Sequence, residues 1–262
     1  MKVTVDGRHI DQFIPRDLRG MFYRNPIPDY KYRVVDGYDP YGFSTEGLVL
    51  YLPLWALKDS VFKSVDAYKH LCTPSGTTIS WTPLGWSLGG TDELITIPHA
   101  SSIDAGAGSW TVEAWVYLDN LTDENIIAFK LEAAGDTPGY LFYVEKTTGV
   151  LKFLVRESAT VYKRRDSTAG MAATTWMHIG GAANSVGGSL VLYLNGAVEA
   201  GTTFEAGAWP DTTSTRDLLI GKSDVYDAGF FDGLIGEVWI YKRALSAGEI
   251  LHNYKCTVAR YQ

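Results

Sequence analysis

From Gly47 onward the chain alternates short apolar runs with clusters of Gly, Pro, Asp, Asn and Ser, a spacing that predicts strands joined by tight turns. LVLYLPL (48–54) is the first run, and LITIP (94–98) follows the turn residues GGTDE. In SWTVEAWVYL (109–118) the two-residue period puts Val112, Ala114, Val116 and Leu118 on one face and Thr111, Glu113, Trp115 and Tyr117 on the other. NIIAFKL, YLFYVEK, VLKFLVRE, WMHIGGAA, SLVLYLNGAVEA, DLLIG and LIGEVWIYKRA continue the series. Several runs carry large apolar residues on both faces, which suits two packed sheets better than one solvated sheet. Asn195-Gly196 predicts a two-residue hairpin turn. One short helix is expected after Ser246, where Glu249 completes a capping box and Leu245, Ile250 and Tyr254 would face inward.

The first 46 residues break this pattern. Pro15, Pro26, Pro28 and Pro40 punctuate a stretch rich in Tyr, Arg and Asp, and proline with its preceding residue favours extended backbone. The expected organisation is an extended arm over 1–46 and a β-sandwich over 47–262. The arm's Phe13, Phe22, Tyr23, Tyr30, Tyr32 and Tyr38, with Tyr41 and Phe43, are too many for a solvated linker. They would pack either on the arm's own sandwich or, as docking anchors, on a neighbouring subunit.

Composition narrows the classes. With 262 residues, 46% of them hydrophobic and 20% charged, the chain has ample material for one core. A net charge of −7 argues against a nucleic-acid surface, and the basic cluster Lys163-Arg164-Arg165 reads as a solvated turn or strand end. No run of about eighteen apolar residues predicts a membrane helix. The opening MKVTVDGRHIDQF lacks the apolar stretch of a secretory signal, so either the protein is not secreted in that way or a leader has been removed. Cys72 and Cys256 are too few for a disulfide framework; they read as two thiols, with a single bridge left open.

Four segments, GLVLYLPLW, SWTVEAWVYL, WMHIGGAANSVGGSLVLYLNGAV and FFDGLIGEVWIYKRALSAGEI, resemble in order the laminin-G-like jelly-roll family of the concanavalin-A-like lectin and glucanase superfamily. The resemblance covers about Gly47 to Tyr254. It implies an all-β, two-sheet antiparallel jelly-roll sandwich in which Trp176 and His178 begin a strand and Tyr241 and Leu245 close the core. One departure is Gly236, where the closing signature often has Asp beside the position of Glu237. The junction of arm and sandwich, with SVFKSVDAYKHLCTPSG after it, also resembles laminin-G-like proteins of tailed phages. That implies a virion structural subunit at the particle surface, with other virion subunits or copies of itself as partners and a host-surface glycan as a further ligand.

The chemistry expected of such a chain is binding. Retaining glucanases need two carboxylates on one strand face, presented in this superfamily as Glu-x-Asp-x-x-Glu, and no such triplet occurs. Asp92-Glu93, Asp123-Glu124 and Asp224 with Asp227 fall at turns, where acids are ordinarily solvated. Nucleophile-elbow, phosphate-loop and zinc-helix patterns are missing, and the five histidines have no metal spacing. The expectation is therefore a non-enzymatic protein that requires no cofactor. Calcium is the one cation considered, since many relatives bind it at a loop rim; its candidate ligands are Asp92, Asp224, Asp227 and Asp232. Sugar stacking would fall to aromatics in or near loops, namely Trp81, Trp86, Trp209 and Tyr226, while Trp115, Trp176 and Trp239 lie within strands and belong to the core. The competing reading to a virion subunit is a carbohydrate-binding adhesin module, extracellular or at a cell surface.

Overall fold

A computed structural model describes residues 4–5, 8–9, 42–131, 138–223 and 229–262. Strands β1 (Thr4–Val5) and β2 (Arg8–His9) pair with each other. The sandwich begins with β3 (Leu48–Pro53), β4 (Phe62–Lys63), β5 (Leu71–Ser75), β6 (Ser80–Thr82), β7 (Gly85–Gly89), β8 (Leu94–Ile97) and β9 (Trp110–Leu118). It continues with β10 (Asn125–Leu131), β11 (Gly139–Val144), β12 (Val150–Ser158), β13 (Val161–Gly170), β14 (Trp176–Asn184) and β15 (Ser189–Leu194). The last strands are β16 (Ala197–Glu199), β17 (Gly201–Ala206), β18 (Leu218–Ile220) and β19 (Asp232–Tyr241), followed by helix α1 (Ala247–Thr257) and a 3-10 turn at Val258–Arg260.

Two antiparallel sheets form the layers. One has nine strands in the order β17-β13-β12-β11-β10-β18-β8-β5-β4; the other runs β16-β15-β14-β9-β19-β7-β6, with β3 as its eighth strand. The long β19 makes this possible, because its first half pairs with β7 and its second half with β3, while β9 lies along its other edge. Between the sheets, Val112, Ala114, Val116 and Leu118 meet Phe142, Phe153, Ile127 and Ile220, as the two-residue period of SWTVEAWVYL predicts. Asn195 and Gly196 turn β15 into β16 with φ of 50° and 77°, the left-handed pair that a two-residue hairpin needs.

The helix forms for the reason the sequence gives. Ser246 accepts from the Glu249 backbone N–H and Glu249 returns a bond to the Ser246 N–H, so two orphan donors of the first turn are satisfied. Arg243 Nη2 lies 2.6 Å from Glu249 Oε1 and holds that carboxyl down at about 2, helped by Ser246 against the opposing effect of burial. Since the folded value lies below the unfolded one, this stabilisation is complete above the ordinary carboxylate range and is lost as pH falls towards 2. Glu249→Gln is expected to cost about 1 kcal/mol at pH 7 and almost nothing near pH 2, read from denaturation midpoints at the two pH values.

Two expectations are corrected. Lys163-Arg164-Arg165 is neither a turn nor a strand end: it occupies the middle of β13, where Lys163 meets Glu205, Arg164 meets Asp166 and Arg165 donates to Thr203. Tyr241 and Leu245 are buried, but in a second cluster on the outer face of the eight-stranded sheet and not between the sheets. Cys72 and Cys256 form no disulfide with each other: the Cys72 thiol is buried and pushed up to about 12 by burial and the nearby Asp66, and Cys256 is exposed, its thiol donating to the Gly42 carbonyl at 2.6 Å.

Candidate functional site

The outer face of the eight-stranded sheet holds two fully buried carboxyl groups on neighbouring strands. Glu113 on β9 and Glu237 on β19 both point to that face and are fully buried. Glu113 pairs with Trp239 and Glu237 with Trp115, so the two acids are diagonal neighbours on adjacent strands, with backbones roughly 7–8 Å apart. Sequence spacing does not reveal this pair, because the two acids lie on separate strands.

The C-terminal segment closes this face. Glu237 Oε1 accepts from Arg260 Nη1 at 2.5 Å and from the Tyr261 hydroxyl at 3.1 Å, while Oε2 accepts from the Tyr51 hydroxyl at 2.9 Å. Burial raises the Glu237 carboxyl above its ordinary value, with Arg260 and the two tyrosines pulling the other way. The Arg260 guanidinium also lies 3.6 Å from the centroid of the Trp55 ring. Glu113 Oε1 accepts from Asn253 of α1 at 2.8 Å. Its Oε2 is 3.2 Å from His178 Nε2, without the alignment of a hydrogen bond. Phe43 packs edge-on against Tyr51 and Trp239, and Tyr261 stacks on Trp115 with centroids 4.6 Å apart.

Gly236 belongs to the same closure. A side-chain carbon there would stand 2.5 Å from the Tyr261 hydroxyl oxygen. The departure from the closing signature thus has a structural counterpart, since the Tyr261 ring fills the space a side chain at position 236 would take.

The residues singled out from sequence are dispersed. Trp81 is the most open of the aromatic candidates described, 36% exposed on the edge strand β6. Trp86 is corrected: it is 5% exposed, packs on Phe62 and donates its indole N–H to the Leu57 carbonyl at 2.6 Å, leaving no face for a sugar. Trp209 is half-buried against the main core. Tyr226, Asp224 and Asp227 lie outside the described residues. Asp92 holds the Thr77 N–H and hydroxyl at 2.8 and 2.7 Å. Asp232 accepts from the Asn120 amide, and its charge, after burial, raises the Asp119 carboxyl. Among the described residues no three side chains of the metal-ligating types form a cluster.

Glu93, read from sequence as a solvated turn acid, is fully buried. Burial alone would raise its carboxyl, yet donors from Thr78, Thr91 and Asp92 hold it well below the usual range. A shallow hollow of about 450 Å³ opens elsewhere, lined by Leu94, Thr96, Thr215, Arg216, Asp217 and Leu219.

Fold and site together define a lectin-like β-sandwich with a sealed carboxylate face. The chain belongs to the concanavalin A-like lectin/glucanases superfamily, whose laminin-G-type family model matches residues 89–251. No curated protein matches it in sequence. Among solved structures it is similar to the binding domain of botulinum neurotoxin DC in complex with rat synaptotagmin II, with a TM-score of 0.60 and 14% identity over 80% of this chain and 51% of that one. It is likewise similar to the same toxin's binding domain in complex with SialylT, at 0.60 and 13% over 80% and 51%. The binding domain of Paraclostridial Mosquitocidal Protein 1 gives 0.60 and 14% over 79% and 52%. The chain spans about half the length of these structures, and at such identity the likeness is one of fold.

Proposed function

We propose that this chain is a non-enzymatic recognition module that binds carbohydrate at the surface of its lectin-like sandwich. The closure of Glu113 and Glu237 carries the reading. A glycosidase needs one carboxyl to protonate the leaving oxygen and another to attack or to activate water, each with access to substrate. Here both are fully buried beneath α1 and the C-terminal turn, and Glu237 is committed to Arg260, Tyr261 and Tyr51. Membership of a lectin-containing superfamily supports a sugar ligand, as does the use of the same fold as a binding domain in the toxin complexes. Trp81 offers an indole face at a sheet edge, the chemistry that stacks on a pyranose ring. On a glycan array the protein is expected to bind a defined set of sugars, with affinity reduced about tenfold or more by Trp81→Ala. Silence across the array, or release of reducing sugar from any of its glycans, sinks the reading.

A second reading is favoured by the aromatic and proline content of residues 1–46: a structural subunit of a tailed-phage particle, with the sandwich outward and the arm docked on neighbouring subunits. Deleting residues 1–41 is then expected to abolish incorporation into particles while the chain stays folded. Unchanged incorporation overturns it.

A further inference from the structure

Two loop segments, one leading into β9 and the other into β18, are fastened to each other near the end of β10. The Thr212 backbone N–H and hydroxyl donate to the Gly106 carbonyl at 3.0 and 2.9 Å, and the His99 N–H donates to Asp217 Oδ1 at 2.8 Å. Between these bonds a cation comes in from the sheet. Lys130, on β10, is completely buried, and its Nζ lies 2.6 Å from the Arg216 carbonyl, 2.8 Å from the Ser214 carbonyl and 3.3 Å from His99 Nδ1. Asp104 Oδ1 stands 2.8 Å away as the counter-charge, without the alignment of a hydrogen bond.

A primary ammonium has three N–H donors and no acceptor, so the His99 Nδ1 that faces it is the ring nitrogen without a proton. Three acceptors then meet three donors and one carboxylate meets one charge. A buried ammonium needs that set, because its burial costs several kcal/mol unless the charge is paired and the protons are bonded. A calcium ion would want about six to eight oxygen ligands. Here the nearest atoms are two carbonyl oxygens, one carboxylate oxygen and an imidazole nitrogen.

We infer that Asp104, His99 and the carbonyls of Ser214 and Arg216 form a binding seat for a primary ammonium ion, which Lys130 fills as a tethered guest and which a free alkylammonium ion fills when that side chain is cut back. All the acceptors belong to the two loops and the ammonium alone belongs to the sheet, so removing the stem removes the guest and leaves the host atoms in the chain. The seat also has an entrance. The His99 side chain is 35% exposed and that of Asp104 11%, which puts the ammonium end of the site beside solvent. The inference rests on neither functional reading.

The test uses the full-length Lys130→Ala chain, unfolded in urea with and without propylammonium chloride, an ion that replaces the lost methylenes together with their ammonium. Propanol supplies the stem without the charge, while potassium chloride and tetramethylammonium chloride supply charge without N–H donors. Lys130→Ala is expected to lower the folding equilibrium constant by roughly a hundredfold or more, as for other broken buried pairs. Propylammonium should restore about tenfold or more of that loss and leave the parent chain unchanged. In the double variant Lys130→Ala, Asp104→Asn the response should be lost. If Lys130→Ala does not fold in buffer, its refolding yield in propylammonium against propanol gives the same reading. No recovery with propylammonium, equal recovery with propanol, potassium or tetramethylammonium, or a response that survives Asp104→Asn would each overturn the inference.

Discussion

Arg260→Ala is expected to destabilise the protein by about 3–5 kcal/mol at neutral pH, because it strands Glu237 as a buried charge. Tyr51 and Tyr261 would still donate to the carboxylate, and the Arg260 side chain is 22% exposed, so the loss should fall towards the lower end of that range. The pH dependence identifies the cause. The folded value of Glu237 is raised, chiefly by burial, so the folded state binds this proton more tightly than the unfolded state does. Stability therefore falls as pH climbs from the ordinary carboxylate range through the raised value. Without Arg260 that value rises further, so the gap between variant and parent should be widest at pH 7 and should shrink towards pH 4, near the usual glutamate value of about 4.3. Arg260→Met, which keeps a stem over Trp55, combined with Glu237→Gln should recover most of the loss. A cost for Arg260→Ala below about 1 kcal/mol, flat with pH, would show that the pair does not hold the tail.

The second large effect concerns the glycine beneath that tail. Gly236→Asp restores the acid common in the closing signature, yet its first side-chain carbon would stand 2.5 Å from the Tyr261 hydroxyl oxygen and about as close to the ring. The added carboxylate would also sit beside Glu237, already a reluctant anion. Loss of about 3 kcal/mol is expected, with the amides of residues 258–262 losing their protection from hydrogen exchange. Removing Tyr261 and Gln262 is expected to be costly by itself, but adding Gly236→Asp to that deletion should cost little more. If the two losses simply add, the ring and the glycine are not coupled.

Most of the sandwich was legible because its signal is local. The two-residue period of SWTVEAWVYL, the Asn195-Gly196 turn and the Ser246–Glu249 box each depend on neighbours in sequence, and each is found as expected. The sealed face was not legible, because nothing local pairs Glu237 with Arg260, Glu113 with Asn253 or Gly236 with Tyr261. A clue existed in WTVEAW and GEVWIY, where a lone acid stands beside Trp inside a run too apolar for solvent. An acid there must be either paired or neutral. The turn acid Glu93 failed the opposite way: turns favour solvated acids, but here backbone and threonine donors converge on one.

The closure over Glu237 also bears on how the chain is made. Tyr51 stands on the first strand of the sandwich, Glu237 on the last, and Arg260 and Tyr261 emerge after every strand has been synthesised. A nascent chain halted after β19 therefore has every described sheet strand, while Glu237 has the Tyr51 hydroxyl but neither Arg260 nor Tyr261 as a donor. Synthesis of Arg260 and Tyr261, more than formation of any one hairpin, is therefore what lets this sheet face close.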